Sequence, residues 1–112
     1  MSASLYALSP LDGRYASATK SLTPYFSEYG LIYYRVRVEV EYFIALTGAV
    51  PELKKFPNEK IAALRSVYET FNEADATAIK EIEKTTNHDV KAVEYFLKNK
   101  FDELSLSDYK EF

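Results

Sequence analysis

From Leu31 to Thr47 the chain runs without a glycine, proline, asparagine or aspartate. A stretch of roughly 17 residues with no turn chemistry is about three times the length of an ordinary strand. The polar–apolar alternation of Arg35-Val36-Arg37-Val38-Glu39-Val40-Glu41-Tyr42 would alone predict a half-buried strand. Length and a second pattern oppose it. Tyr29, Ile32, Tyr33, Val36, Val40, Phe43 and Ile44 fall on one helical face, and Arg35/Glu39 and Arg37/Glu41 make opposite-charge pairs at i,i+4. The spacing therefore predicts a helix over Ser27–Leu46, stopped by Gly48 and Pro51. Leu31, Tyr34, Val38 and Tyr42 form a second apolar stripe, which predicts burial on two sides.

The rest of the chain fits around that helix. Residues 1–26 lack sustained periodicity and contain Pro10, Gly13 and Pro24, so they read as an irregular arm. Pro10-Leu11-Asp12-Gly13 is a turn signal, and a short helical turn is expected around Ala16–Leu22. Pro51–Pro57 reads as a connector. Asn58 is expected to cap a helix with the face Ile61, Leu64, Tyr68 and Phe71. Asn72 is expected to start another, ending near Lys84, with the sparse face Ala76, Ile79 and Ile82. His88–Phe101 reads as the last clear helix, with Val90, Val93, Leu97 and Phe101 inward and Lys98 and Lys100 near its negative end. Ser105–Phe112 begins a further element. The expectation is one all-α domain.

At 112 residues there is room for one domain and a modest core. Hydrophobic content of 47% and charged content of 28% are those of an ordinary globular chain. A net charge of −3 argues against wrapping nucleic acid, although one basic pocket for a small anion stays compatible with it. The absence of cysteine excludes disulfides and thiolate chemistry and suits a reducing cytoplasm. No basic start followed by an apolar run marks a signal peptide, and no apolar stretch approaches the roughly 20 residues of a membrane helix. The chain reads as cytoplasmic, with no membrane partner. Ten Tyr and seven Phe follow helical spacing without clustering with Lys and Arg, so Tyr33, Tyr34, Tyr42, Phe43, Tyr68, Phe71, Tyr95 and Phe96 are expected to pack in the core rather than stack on bases.

Chemistry concentrates in Lys84–Leu97, which sets the only histidine between an amide and a carboxylate where a helix should begin: Asn87-His88-Asp89. Helix starts present backbone N–H groups and a positive dipole end that suit anions. The same spacing also reads as a plain cap, with Thr86 or Asn87 as N-cap and Asp89 in the first turn. Arg14 could grip a phosphate or carboxylate with two hydrogen bonds, with the Tyr15 hydroxyl beside it; the same pair also reads as a surface arginine and a packed tyrosine. One imidazole and no cysteine give no metal-binding pattern. Thr85 and Thr86 read as structural, Lys91 and Glu94 as a pair across the helix surface or as organisers of the site without a catalytic part, and Glu81, Glu83 and Lys84 as a solvated face.

Two long motifs carry a resemblance. Thr85-Thr86-Asn87-His88-Asp89-Val90-Lys91-Ala92-Val93-Glu94-Tyr95-Phe96-Leu97 resembles the first active-site segment of bacterial adenylosuccinate lyases. Leu8-Ser9-Pro10-Leu11-Asp12-Gly13-Arg14-Tyr15 resembles their opening motif, and Phe26-Ser27-Glu28-Tyr29-Gly30-Leu31 lies between the two in matching order. The resemblance implies the all-α N-terminal helical domain of the fumarase/aspartase superfamily, spanning residues 1–112 of a longer chain. It implies a homotetrameric enzyme that eliminates fumarate from adenylosuccinate, giving AMP, and from a succinylated carboxamide ribotide in purine synthesis, with no cofactor. Arg14 and Tyr15 would bind the nucleotide substrate at its phosphate. Asn87, His88 and Asp89 would contact it, with His88 orienting it and assisting proton transfer. The family's general-acid histidine and serine base belong to later segments with no counterpart here, so no principal catalytic residue is expected in this chain and the fragment alone should be inactive. Two rivals are a non-catalytic helical interaction module, suggested by the second apolar stripe, and another enzyme of the superfamily, which fits the two motifs less well.

Overall fold

The computed structural model describes residues 5–112, and among them all regular structure is helical, as the periodicity predicts. Two compact units divide the chain, Met1–Leu31 and Ile32–Phe112.

In the first unit the expected turn is present. The Asp12 N–H donates to the Ser9 carbonyl at 3.1 Å and the Tyr15 N–H to the Pro10 carbonyl at 2.7 Å. Helix α1, Ala16–Thr19, continues into a 3₁₀ turn at Lys20–Leu22, and α2, Thr23–Phe26, carries Pro24 in its first turn, where a missing N–H costs nothing. The short helical turn expected at Ala16–Leu22 is thus found; residues 1–4 of the arm lie outside the described residues. Ser27 is extended and halts α2. Its hydroxyl donates to the Thr23 carbonyl at 2.6 Å and accepts the Gly30 N–H at 3.0 Å, which starts α3, Glu28–Ala49. Gly30 is buried against the preceding turn, where a Cβ would stand 2.6 Å from the Pro24 carbonyl oxygen. Among the described residues of this unit no hydrophobic side chain reaches full burial, and Leu8 is 99% exposed.

The second unit holds the core. From α3 it takes Ile32, Val36, Val40 and Phe43, four members of the predicted face. The second stripe behaves differently: Leu31, Val38 and Tyr42 are exposed in this chain. Neither expected i,i+4 ion pair on α3 organises the helix. Arg35 instead reaches Asp89 at 2.8 Å, and Glu41 is held by the Arg65 guanidinium at 3.0 and 3.3 Å and by the Tyr68 hydroxyl at 2.6 Å. Tertiary partners outcompete local ones because an exposed i,i+4 pair contributes only about 0.3–0.5 kcal/mol.

After Pro51 the connector folds as a 3₁₀ turn, Pro51–Leu53, and it contributes core: Leu53 is fully buried and Phe56 nearly so. Phe56 meets Phe43 edge-on at 5.3 Å, and Phe43 meets Phe101 at 4.9 Å. Asn58 does not cap as expected. It opens a 3₁₀ turn, Asn58–Lys60, whose cap position is occupied by Pro57, a residue with no side-chain acceptor. Helix α4, Ile61–Glu69, buries Leu64. Phe71, just beyond its end, stacks edge-on with Tyr33 at 6.0 Å and with Phe96 at 6.1 Å.

Helix α5, Glu73–Thr86, starts with the predicted Asn72 and completes a capping box. Asn72 accepts the Asp75 N–H, while Asp75 accepts the Asn72 N–H, both at 3.1 Å. It packs Ala76 and Ile79 inward. Helix α6, Asp89–Glu103, buries Ala92, Val93, Phe96 and Phe101. Val90, expected inside, is 47% exposed: the buried stripe runs through Ala92, Val93 and Phe96, and Val90, in the first turn, lies off it. Tyr42 and Tyr95 likewise stay exposed rather than packing in the core. The further element expected at Ser105–Phe112 is a 3₁₀ turn at Ser107–Tyr109, which seats Leu106 in the core and ties Asp102 to the Ser107 hydroxyl at 2.7 Å and to Lys110 at 3.2 Å.

Candidate functional site

The joint between α5 and α6 is two residues long and uses an unusual backbone. Asn87 closes α5 in the left-handed region, φ 55°, with its N–H on the Glu83 carbonyl at 2.7 Å. Asparagine adopts this conformation more readily than most residues. His88 returns to extended geometry and is itself the N-cap of α6, its Nδ1 accepting the Lys91 N–H at 3.3 Å. The cap is therefore neither Thr86 nor Asn87, the two residues the spacing predicts. Thr86 clamps the joint from behind, its hydroxyl donating to the His88 carbonyl at 3.0 Å and accepting the His88 N–H at 3.3 Å.

This cap fixes the chemistry of the ring. A nitrogen that accepts an N–H must present a lone pair, so the proton of the neutral imidazole resides on Nε2. The side chain is 60% exposed, so Nε2–H is available as a donor to a ligand. The Asp89 carboxylate lies 3.9 Å from Nδ1; that approach cannot be an ion pair while Nδ1 carries the cap. Asp89 is committed elsewhere. Its Oδ2 pairs with Arg35 at 2.8 Å and its Oδ1 accepts the Val90 N–H at 2.8 Å. The Arg35 bond first, and the Val90 N–H second, hold its carboxyl below the usual carboxylate range.

A helix start is expected to offer its N–H groups to an anion. Here the Val90 and Lys91 N–H groups already have acceptors within the segment, so polar reach outward belongs to the His88 ring and the exposed Asn87 side chain. Asn87, His88 and Asp89 are thus brought together as one turn, and Arg35, which sequence reasoning missed, completes the cluster from α3. Its signal was position: Arg35 adjoins the buried Val36 and flanks the core face. Lys91 and Glu94 do approach at 3.9 Å, and Lys84 pairs with Glu81 at 2.8 Å, as expected of a solvated face.

Arg14 and Tyr15 belong to the first unit. There the guanidinium lies 5.0 Å from the Tyr15 ring centroid and both side chains are exposed. A cation held over a ring face in this way keeps its N–H groups available to a ligand. Among the described residues no group of three or more His, Cys, Asp or Glu is placed to hold a metal ion, and no helix is long and apolar enough to cross a membrane.

Fold and site together define an all-α segment with a polar, histidine-capped helix start. The particular kinship comes from relatives that are adenylosuccinate lyases. The chain is 50% identical over 101 residues to the enzyme of Legionella pneumophila, 54% over 100 residues to that of Dictyostelium discoideum, and 50% over 103 residues to that of Escherichia coli K12. These alignments cover 88%, 86% and 90% of this chain but 22%, 21% and 23% of the relatives, so the chain spans less than a quarter of their length. The resemblance carried by the two motifs therefore extends over nearly the whole chain, consistent with an N-terminal domain of such an enzyme. No protein-family model matches it.

Proposed function

We propose that these residues form the N-terminal domain of an adenylosuccinate lyase and that the domain supplies substrate-binding groups. The observation that carries the reading is identity of about half over most of the chain, with the Asn87-His88-Asp89 turn inside it. The whole enzyme would remove fumarate by β-elimination: a base takes a proton beside a carboxylate, an acid protonates the departing nitrogen, and fixed donors stabilise the anionic intermediate. Adenylosuccinate and the succinylated carboxamide ribotide of purine synthesis are the proposed substrates, in the cytoplasm and with no cofactor. Arg14 and Tyr15 would hold the phosphate, Asn87 and the His88 Nε2–H would donate to the substrate, and His88 would assist proton transfer. Asp89 would act chiefly on the segment itself. The exposed row of Val38 and Tyr42 suits burial in a homotetramer.

The test is an elimination assay on the full-length protein. Arg14→Ala and His88→Ala are each expected to lower kcat/KM by roughly 100-fold, a loss in the range of a positioned binding or proton-transfer group, with native mass unchanged. Activity surviving both substitutions would remove these residues from the site.

A further inference from the structure

We propose that Arg35 is a positioning residue of this site: its ion pair with Asp89 sets the direction in which α6 begins, and it cancels a carboxylate that would otherwise repel an anionic substrate. The inference rests on the reading of Asn87-His88-Asp89 as the substrate-contacting turn.

Arg35 projects from a rigid base. It sits next to Val36, which is fully buried, and three residues after Ile32, which is 3% exposed. Its side chain is 28% exposed, against 48% for the Asp89 side chain it binds, so the arginine is the more enclosed partner. The joint it meets is only two residues long, one left-handed, Asn87, and one extended, His88, with Thr86 clamping it from behind. The contact at Asp89 ties this turn to α3, and the cap bond to Lys91 fastens the His88 ring to the same first turn of α6.

Charge gives the second half of the argument. A carboxylate adjoining a site for phosphate and carboxylate groups opposes binding through like-charge repulsion. Asp89 escapes this because both its oxygens are engaged, one by a guanidinium. Removing Arg35 leaves the negative charge uncompensated beside the ligand.

The experiment is steady-state kinetics with adenylosuccinate on the full-length protein containing this chain, comparing His88→Ala, Arg35→Ala and the double variant Arg35→Ala/Asp89→Asn. Arg35→Ala is expected to raise KM by roughly tenfold with a smaller change in kcat, the size of a coupled charge pair. The double variant is expected to recover the rise in KM, since no carboxylate is left to compensate while the amide oxygen introduced in its place still accepts the Val90 N–H. The smaller kcat deficit should persist, because the contact that anchors the His88 turn to α3 is still missing. A role in packing alone would not be rescued by Asp89→Asn. Should Arg35→Ala fail to assemble, Arg35→Gln keeps most of the stem and carries the same comparison. An unchanged KM in the Arg35 variant, or a double variant no better than the single, overturns the inference while an impaired His88→Ala keeps the site reading intact. An unimpaired His88→Ala sinks the site reading itself, and this inference with it.

Discussion

Two glycines on α3 are expected to respond to alanine with opposite signs. A Cβ at Gly30 would lie 2.6 Å from the Pro24 oxygen and 2.9 Å from the Tyr25 carbonyl carbon, all backbone, whereas nothing stands within 4 Å of one at Gly48. Gly30→Ala should therefore destabilise by about 1–3 kcal/mol, as overpacking does, and raise amide exchange across residues 23–31. Gly48→Ala, in an open helical position, should stabilise by about 0.5–1 kcal/mol; denaturant unfolding of both variants checks the contrast. Asn87 separates backbone from side chain in a similar way. Asn87→Gly keeps the left-handed geometry at φ 55° and should hold stability within about 1 kcal/mol, so an accompanying fall in lyase activity would report on the lost carboxamide alone.

At the scale of elements, the capping box at Asn72 is the device most open to measurement. Asn72→Ala breaks one of its two reciprocal bonds and is expected to cost about 1 kcal/mol, read as a lowered unfolding midpoint. Asn72 was legible because Asp75 stands three residues on and the helical face begins at once. Asn58 looked similar but is preceded by Pro57 at the cap position and is itself the first residue of a 3₁₀ turn, so its side chain caps nothing. The long α3 was legible from its length, its inward face from periodicity. The buried Leu53 and Phe56 were not, since a short segment between two prolines has no period to read. The site shows the same division. Its three polar residues were visible as a motif, but the engagement of Arg35 with Asp89 depends on how α3 and α6 meet, which no local pattern encodes.

At the scale of the whole molecule, three carboxylates among the described residues have their pKa values lowered: Glu41, chiefly by the Arg65 bond and then Tyr68; Asp89, chiefly by Arg35; and Asp102, chiefly by the Ser107 hydroxyl and then Lys110. A depressed folded-state pKa contributes stability above the unfolded value that is lost as pH falls through the folded one. Stability should therefore fall as pH drops below about 4, and Glu41→Gln should make that acid limb shallower in unfolding midpoints taken across the range. On the proposed reading the 112-residue chain alone should show no lyase turnover, checked by fumarate release; measurable turnover would sink that reading. The molecule also carries its own spectroscopic label. With one imidazole in the entire sequence, its ring-nitrogen resonances need no assignment, and the bond from the Lys91 N–H marks Nδ1 as the pyridine-like nitrogen. A nitrogen-15 spectrum of the ring thus reads the first turn of α6 directly, one signal answering to the intact cap and the other to whatever approaches from solution.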